Sequence, residues 1–274
     1  MQIKPVAMLW ISFFLILSIA TFITCQEVED ETEFNYIEGD KRGPENWGYI
    51  KKEWAVCKTG KLQSPIDLPH KRVTLVPKSE EIIKFYRTSH TLLKNRGHDI
   101  QIEWVNKNSK IKINGTNYIL TQSHWHSPSE HTINGIRFDL ELHMVHQSKD
   151  NKIAVIGLLY KIGRPDPFLS KLIKKIKSIG VGEEIEGGLI NPAEIKMGGR
   201  KYYRYMGSLT TPPCTEGVLW TVNEQIGTVS KKQVKSLRDA VHDDAQTNAR
   251  PLQPRNGRKV NLYYQPIKKY TYEL

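Results

Sequence analysis

The segment that decides the fold and the chemistry of this chain is residues 122–146, QSHWHSPSEHTINGIRFDLELHMVH. It contains His124-Trp125-His126, a histidine pair separated by one residue in a run that is typical of a β-strand. Because strand side chains alternate between two faces, both imidazoles point the same way and are close enough to share a metal ion. Such a pair alone is more often solvated or hydrogen-bonded, so a metal site needs further ligands.

A third histidine follows in the next predicted strand. Asn134-Gly135 lies between two strand-like runs and predicts a two-residue hairpin turn. With that turn, paired residues have numbers that sum to 269, which places His143 opposite His126. Pro128 lacks the N–H that the ladder needs, so this register is approximate. Three histidines are therefore predicted to converge on one face of a sheet.

Three neutral imidazoles make an open metal site. A tetrahedral ion with three protein ligands keeps its fourth position for water, which is the pattern of catalytic rather than structural zinc. A closed site would need His131 or His146, but His131 lies near the turn and His146 has the opposite parity to His143. Both are predicted to be hydrogen-bonded structural histidines. The chain has no H-E-x-x-H sequence, which excludes that class of metalloprotease.

Two polar residues are candidates for supporting the histidines. Gln122 precedes His124 by two residues, and Glu141 precedes His143 by two residues, so each shares the face of its histidine. Metal-bound histidines need a hydrogen-bond partner on the other ring nitrogen, which fixes the tautomer. We therefore predict that Gln122 and Glu141 supply this contact.

The rest of the chain is predicted to be mainly β. Alternation over His98–Trp104 predicts a strand in which His98 begins the same face as three apolar residues. Asn114-Gly115 predicts a second hairpin, and apolar Ile153–Tyr160 predicts a central strand buried on both faces. Helical periodicity is limited to residues 166–178 and to Lys231–Val241. The predicted fold class is mainly β (α+β), a single domain with a few surface helices.

Taken together, these motifs resemble the α-class carbonic anhydrases, in a plant-type secreted form. The resemblance rests on Gln122–His126, Ser129–His131, Glu141–His146, Ser208–Pro213 and Gln63–Pro65. It implies a large twisted, mostly antiparallel central sheet with peripheral helices and a zinc ion deep in a conical cleft. The implied activity is the reversible hydration of carbon dioxide to bicarbonate and a proton.

The resemblance also implies a role for each site residue. The three converging histidines would bind Zn²⁺, and zinc-bound hydroxide would attack carbon dioxide. Thr210 would accept a hydrogen bond from that hydroxide and donate its own proton to Glu130, while Thr211 would help to place bicarbonate. An apolar wall would hold the substrate, formed by Val145, Val155, Leu209, Val218 and Trp220.

Rapid turnover also needs a group that exports a proton. His98 matches the position of the family's proton shuttle, and an exposed imidazole titrates in the required range. Its neighbours Arg96 and Asp99 depart from the pattern of animal members. Arg96 would lower the pKa of His98 and Asp99 would raise it.

The N-terminus has the layout of a signal peptide. Lys4 precedes an apolar run from Val6 to Ile23, and no acidic residue occurs before Glu27. A membrane anchor is the alternative, since the run approaches the roughly 20 residues that span a bilayer. The acidic residues that follow, without a basic stop-transfer cluster, favour cleavage near Cys25 and no stable membrane anchor afterwards.

The predicted organisation is a signal peptide over residues 1–25, an acidic segment over 26–40, a catalytic domain over 41–268 and a tail over 269–274. The predicted location is the secretory pathway and the extracellular space or apoplast. The chloroplast stroma, reached through the secretory pathway, is the alternative. The functional alternative is a weakly active storage or binding protein on the same fold, of the kind found among plant relatives.

Cleavage would remove Cys25 and leave Cys57 and Cys214 as an even pair in an oxidising compartment, where a disulfide is expected. The resemblance places the disulfide of extracytoplasmic family members at the same two positions. Cys214 directly follows Thr-Thr-Pro-Pro, so the bridge would brace that loop. Asn114-Gly115-Thr116 is a glycosylation sequon at a predicted hairpin tip, and its use is left open.

The chain is basic, with 40 Lys and Arg against 29 Asp and Glu. The densest lysine group, between residues 168 and 177, alternates with apolar residues at helical spacing and is interpreted as the solvated face of an amphipathic helix. No aromatic-interleaved basic motif accompanies the charge, so nucleic acid is not a predicted partner. The predicted partners are small molecules, carbon dioxide and bicarbonate, and the oligomeric state is left open.

Overall fold

The computed structural model describes residues 31–69, 74–77, 82–241, 245 and 247–264. The predicted leader and tail lie outside these residues. The helices are α1 (Trp47–Ile50), α2 (Val56–Thr59), α3 (Pro167–Ile176) and α4 (Lys231–Val241), with 3-10 turns at Glu31–Glu33, Lys52–Trp54 and Pro192–Glu194. Within the described ranges, none of the helices is long and apolar enough to cross a membrane.

The strands are β1 (Asp67–Leu68), β2 (Thr74–Pro77), β3 (Ile83–Phe85), β4 (Ser89–Asn95), β5 (Ile100–Trp104), β6 (Lys110–Ile113), β7 (Thr116–His126), β8 (Thr132–Ile133), β9 (Ile136–Arg137), β10 (Leu140–Gln147), β11 (Ile153–Ile162), β12 (Glu184–Ile190), β13 (Lys201–Ser208), β14 (Glu216–Asn223), β15 (Gly227–Val229) and β16 (Asn261–Tyr264).

Most of these strands form one large sheet in the order β12-β4-β5-β7-β10-β11-β14-β13-β16-β2, with β15 beside β11, β6 beside β7, and β3 beside β6. Neighbouring strands in it run antiparallel except where β11 meets β14 and β15, and where β16 meets β2. Strands β1, β8 and β9 form a small separate sheet. The predicted fold class is therefore confirmed.

The local predictions from periodicity and turn residues are also confirmed, except that β5 begins at Ile100 and leaves His98 outside the strand. Asn114 and Asn134 have φ of 49° and 51°, and the glycine after each also has positive φ, as a tight hairpin turn requires. Strand β11 is buried over its first eight residues. Helices α3 and α4 lie within the two predicted helical stretches, and Oδ1 of Asp166 caps α3 by accepting from the N–H of Leu169 at 2.7 Å.

Alternation divides the buried apolar residues of the sheet strands between two hydrophobic clusters. Val145 and Val155 belong to one cluster, whereas Met144 and Ile156 belong to the other. His143 has the parity of Val145, so its imidazole lies on the face of the first cluster. The sheet thus separates the histidine face from a core that packs against α3 and α4.

The pairing of β7 with β10 differs from the predicted register by two residues. His143 lies opposite His124 rather than His126, and His126 lies opposite Glu141. The predicted pairing of His126 with His143 is therefore wrong. Because the displacement is even, all three histidines still share one face, as an odd displacement would not have allowed.

The displacement arises between the hairpin tip and the long strands. The tip itself forms as predicted, since Ile133 pairs with Ile136 across Asn134-Gly135. Between the hairpin tip and the long strands, five residues outside the ladder (127–131) lie on the side of β7. Only three residues (138–140) lie between the same points on the side of β10. Pro128 lies in the longer segment, where it has no N–H to contribute to a ladder.

Candidate metal centre

Three ring nitrogens converge on the histidine face. His124, His126 and His143 are each at most 1% exposed, and each offers one nitrogen within 4.8 Å of the other two. Nδ1 of His143 lies 3.3 Å from Nε2 of His124. Two nitrogens at the usual zinc–nitrogen bond length from one tetrahedral ion are also about 3.3 Å apart. The spacing therefore fits a single tetrahedral ion.

The tautomer of each ring follows from its outer contact. In each ring the nitrogen that faces away from the cluster contacts an oxygen: Nδ1 of His124 lies 2.8 Å from Oε1 of Gln122, Nδ1 of His126 lies 2.7 Å from the carbonyl oxygen of Asn248, and Nε2 of His143 lies 2.9 Å from Oε1 of Glu141. These oxygens accept hydrogen bonds, so the N–H of each ring points outwards. The inner nitrogens hold lone pairs, which repel one another unless a cation lies between them.

Burial keeps the rings of His124 and His143 in the neutral form that binds metal. It lowers the pKa of His124 well below its usual range and lowers the pKa of His143 to about 4, so both are neutral at pH 7. Burial would raise the pKa of Glu141, but His131 and His143 hold that pKa well below its usual range. Glu141 is therefore a carboxylate that accepts from His143.

Glu141 reaches His143 because the neighbouring strand carries a glycine there. Gly157 on β11 pairs with His143 on β10. A Cβ on Gly157 would lie 2.9 Å from Oε1 of Glu141, closer than real Cβ contacts come. The other carboxylate oxygen of Glu141 accepts from the N–H groups of Glu130 and His131, at 2.9 and 2.8 Å.

The two remaining histidines of this segment have structural contacts, as predicted. Each ring nitrogen is in hydrogen-bonding distance of another group: His131 contacts Oε1 of Glu141 at 2.7 Å and the hydroxyl of Tyr205 at 2.6 Å, and His146 contacts the carbonyl oxygen of Met144 and the hydroxyl of Tyr86, both at 2.9 Å. Neither ring has a free nitrogen for a fourth metal bond. The cluster therefore remains a three-histidine set.

Next to the cluster lies a buried carboxylate with one satisfied oxygen. Oε1 of Glu130 accepts from the N–H of Arg250 at 2.9 Å, whereas Oε2, at 3.6 Å from Nε2 of His126, has no hydrogen-bond partner within the described residues. The expected hydrogen bond from Thr210 to Glu130 is thus not formed here, although Thr210 is buried. Oγ1 of Thr211 and Nε2 of His126 are likewise buried without a partner in the described part of the chain. Such atoms are rare, and here they fit a site that binds an ion and a ligand.

A family model described as eukaryotic-type carbonic anhydrase matches residues 42–264, most of the chain. The chain belongs to this family. It is a carbonic anhydrase, a lyase, and the family identified from the motifs is confirmed. Carbonic anhydrases of this type are zinc enzymes that hydrate carbon dioxide, and the histidine cluster has the donor set for such an ion.

Several proteins of known name or structure are similar to this carbonic anhydrase over most of their length. Alpha carbonic anhydrase 7 of Arabidopsis thaliana is 54% identical over 255 residues, 92% of this chain and 93% of that protein. The crystal structure of dioscorin complexed with ascorbate matches with a TM-score of 0.81 and 45% identity, over 85% of this chain and 99% of that one. The α-carbonic anhydrase of Thermovibrio ammonificans, solved with the inhibitor sulfanilamide, matches with a TM-score of 0.76 and 34% identity, over 83% and 98%.

In this carbonic anhydrase the five apolar residues expected to hold the substrate lie together. They are at most 7% exposed and belong to the hydrophobic cluster on the histidine face: Val145, Val155, Leu209, Val218 and Trp220. The ring centroid of Trp220 lies 4.8 Å from that of His143. Its Nε1–H donates to the carbonyl oxygen of Ser208 at 2.9 Å, which holds the indole beside the loop that carries Thr210.

The prediction that His98 is exposed is wrong. Its side chain is buried, with the residue 8% exposed, and Nε2 lies 2.7 Å from the carbonyl oxygen of Phe34. The rings of Phe34 and Tyr36 pack against the imidazole, with centroids 5.4 and 5.5 Å away. Residues more than sixty positions earlier in the chain thus cover His98, a contact that the local strand pattern did not reveal.

The charged neighbours of His98 bind each other. Nε of Arg96 donates to Oδ1 of Asp99 at 2.8 Å, and Nη2 donates to Oδ2. Burial would raise the pKa of Asp99, but Arg96 lowers it to about 2, so the pair is ionised at neutral pH. The two charges therefore offset each other.

The predicted disulfide joins Cys57 to Cys214 across 157 residues of sequence. The carbonyl oxygen of Cys214 also accepts from Nε2 of Gln63 at 3.1 Å, and that of Cys57 accepts from Nη2 of Arg250 at 2.8 Å. Arg250 is the residue whose backbone N–H binds Glu130. Nη1 of Arg250 donates to Oε1 of Gln63 at 2.9 Å. The disulfide, the carboxylate of Glu130 and the loop of residues 208–213, here called the threonine loop, are therefore connected in one network.

Sequence reasoning missed four residues that build this site. They are Gly157, Tyr205, Asn248 and Arg250. Asn248 and Arg250 act partly through backbone atoms, which no residue pattern identifies. Gly157 lies inside an apolar strand, where a glycine signals a close approach without saying what approaches.

Proposed function

We propose that this chain catalyses the reversible hydration of carbon dioxide with Zn²⁺ held by His124, His126 and His143. The observation that carries the proposal is the convergence of one nitrogen from each of three buried imidazole rings, while the other nitrogen of each ring is hydrogen-bonded to an oxygen. When bound, zinc acts as a Lewis acid that supplies a nucleophile from water at neutral pH, which is the established chemistry of carbonic anhydrases rather than a result of this structure.

The residues around the cluster fix the ligands and leave one coordination position open. Gln122, Glu141 and the backbone of Asn248 hold the three rings with the metal-binding nitrogen inwards. His131 and His146 are bound elsewhere and do not close the site. A position for water is what distinguishes a catalytic from a structural zinc site.

Thr210 and Glu130 would orient the nucleophile. The backbone of Arg250 fixes one oxygen of Glu130 and leaves the other as an acceptor. When the hydroxyl of Thr210 donates to that oxygen, its own oxygen can act only as an acceptor towards the nucleophile, which selects one direction of attack. Thr211 would bind bicarbonate through its hydroxyl, which has no partner in the described residues.

The apolar wall suits the substrate, because carbon dioxide carries no charge or hydrogen-bond donor. The five residues of the wall would hold it beside the metal without competing for the nucleophile. Bicarbonate is charged and is less compatible with the same wall. The wall therefore favours release of the product.

His98 is the proposed proton shuttle. Because the Phe34 carbonyl and the rings of Phe34 and Tyr36 cover it, a proton that leaves through His98 must pass this segment. We infer that the imidazole or its aromatic cover moves during proton export. This differs from the freely exposed shuttle that the sequence suggested.

A weakly active storage or binding protein on the same fold is the second candidate. It is favoured by the similarity to dioscorin, whose structure was solved with ascorbate. The two candidates differ in turnover. An enzyme with this site should hydrate carbon dioxide in a metal-dependent way, whereas a storage protein should do so weakly whatever its metal content.

The test is stopped-flow carbon dioxide hydration combined with metal analysis, before and after chelation. We expect about one zinc per chain, loss of activity on chelation and recovery when zinc returns. His143→Ala should lose zinc and activity together. His146→Gln, on the same strand outside the cluster, is the matched control and should keep both. A purified chain that takes up zinc but hydrates carbon dioxide no faster than His143→Ala would favour the storage protein.

We also infer that the mature chain, with its catalytic domain over residues 41–268, follows the secretory pathway to the extracellular space or apoplast, with the chloroplast stroma as the alternative. The Cys57–Cys214 disulfide supports an oxidising compartment, and the predicted leader lies outside the described residues. Asn114 is exposed at the β6–β7 hairpin tip, where a glycan would meet no core packing. A mobility shift after glycosidase treatment, abolished in Asn114→Gln, would test glycosylation.

A further inference from the structure

Asn248 lies where two strands of the site separate. The ladder between β5 and β7 pairs Gln101 with His124 and goes no further towards His98. Beyond that point the two strands diverge, and their backbone groups need other partners. The amide of Asn248, which is 3% exposed, lies between them.

The side chain of Asn248 replaces the missing ladder. Its Nδ2 donates to the carbonyl oxygens of His98 and Trp125, at 2.9 and 3.0 Å, and its Oδ1 accepts from the N–H of Ser127 at 2.7 Å. One amide thus satisfies a carbonyl of the turn that carries His98 and two backbone groups that flank His126. Its donors and its acceptor are all used.

The backbone of Asn248 binds the same strand. Its N–H donates to the carbonyl oxygen of Ser127 at 3.3 Å, and its carbonyl oxygen accepts from Nδ1 of His126 at 2.7 Å. The residue therefore contacts one proposed metal ligand directly and the proposed shuttle through its backbone.

We propose that Asn248 is a positioning residue that fixes the turn carrying His98 relative to the three metal-binding histidines. This rests on the proposed function of His98 as the proton shuttle. Proton transfer depends steeply on the distance and direction between donor and acceptor, so a turn that shifts by about an ångström slows it strongly. The hydration step does not involve His98 and should be less affected.

The experiment compares Asn248→Ala, Asn248→Asp and His98→Ala with the unaltered chain. Asn248→Asp keeps the acceptor oxygen for Ser127 but replaces the Nδ2 donor, so it isolates the bonds to His98 and Trp125. Asn223→Ala is the matched control, because the amide of Asn223 also donates to two backbone carbonyls, those of Gly198 and Gln225, outside the histidine cluster. Circular dichroism and zinc content establish that each variant is folded and loaded.

Two readouts are needed. In weak buffer we expect both Asn248 variants to lower kcat by roughly tenfold while kcat/KM changes less than about threefold, with imidazole restoring kcat. The second readout uses NMR of the zinc-free, histidine-labelled chain, in which the ring signals of His98 are identified by their loss in His98→Ala. These signals should shift in the Asn248 variants and should not shift in Asn223→Ala. This second readout does not depend on activity.

Unchanged His98 ring signals in both Asn248 variants would overturn the inference. So would a kcat that stays normal in those variants while His98→Ala lowers it. If His98→Ala leaves the buffer dependence unaltered, the shuttle assignment fails instead, and the ring signals alone decide whether Asn248 positions the turn.

Discussion

Nδ1 of His131 lies 2.7 Å from Oε1 of Glu141, the same oxygen that accepts from His143 at 2.9 Å. His131 continues through its Nε2 to the hydroxyl of Tyr205 at 2.6 Å, and that hydroxyl lies 2.8 Å from Oγ of Ser64. A buried chain of hydrogen bonds thus runs from a proposed metal ligand to the segment next to the threonine loop. Such a network holds its members in one arrangement because every polar contact in it is buried.

Removal of the Glu141 carboxylate should weaken metal binding. In Glu141→Ala, His143 loses the acceptor that fixes its tautomer, and we expect zinc affinity to fall by about 10- to 100-fold. Competition with a chromophoric chelator measures the affinity directly. Glu186→Ala removes an exposed carboxylate of β12 and should change nothing. Equal zinc affinity in Glu141→Ala and the unaltered chain would contradict the supporting role.

Thr210 and Glu130 should act as a unit. We expect Thr210→Val and Glu130→Gln each to lower kcat/KM by roughly 100-fold, since each removes the group that orients the nucleophile. The double variant should lose little more than the worse single variant. Thr228→Val, in β15, serves as the control for a threonine outside the site. Losses that multiply in the double variant would show that the two residues act independently.

His98 should control the buffer dependence of turnover. We expect His98→Ala to lower kcat in weak buffer by about tenfold or more, with little change in kcat/KM, because a shuttle acts after the hydration step. Added imidazole should restore kcat. His90→Ala removes an exposed histidine of β4 and should have normal kinetics. The assignment fails if kcat in His98→Ala responds to buffer as it does in the unaltered chain.

Opening the disulfide should affect activity as well as stability. Cys57→Ser with Cys214→Ser frees a loop of 157 residues, and chain entropy sets an upper estimate of about 4 to 5 kcal/mol for the lost free energy of unfolding. Because Cys214 follows the threonine loop directly, kcat/KM of the folded double variant should also fall. Denaturant unfolding and stopped-flow rates measure the two effects. A folded variant with full activity would rule out bracing of the loop.

Buried His146 should make the fold sensitive to acid. Burial lowers its pKa from 6.5 to about 3, so as pH falls the unfolded state takes up a proton before the folded state does. The free energy of unfolding should therefore decrease between about pH 6.5 and 3, with up to about 1.4 kcal/mol per pH unit from this group. Denaturant unfolding at several pH values should give a shallower loss for His146→Gln than for the unaltered chain. His90→Gln should keep the original slope, and identical slopes in all three would refute the prediction.

Local patterns in the sequence were sufficient for the two longer helices, two hairpins and the central strand, and for the shared face of the three histidines. Asn114 and Asn134 mark hairpins because a tight turn requires positive φ, which depends only on the residues of the turn. The apolar run of β11 is predictable because a strand that is buried on both faces carries apolar side chains on both. The convergence of His124, His126 and His143 needed only parity, which an even register shift preserves. The family motifs then supplied the expected roles of Thr210 and Glu130.

Contacts between distant segments were decided only by the tertiary structure. The carbonyl oxygen of Asn248 meets His126 across 122 residues, and Phe34 covers His98 across 64. Such contacts depend on how the sheet twists and closes and on backbone atoms that every residue carries, so no periodicity records them. The residues around His124, His126 and His143 are therefore a property of the packed fold, whereas the identity and the shared face of those three histidines are a property of the sequence.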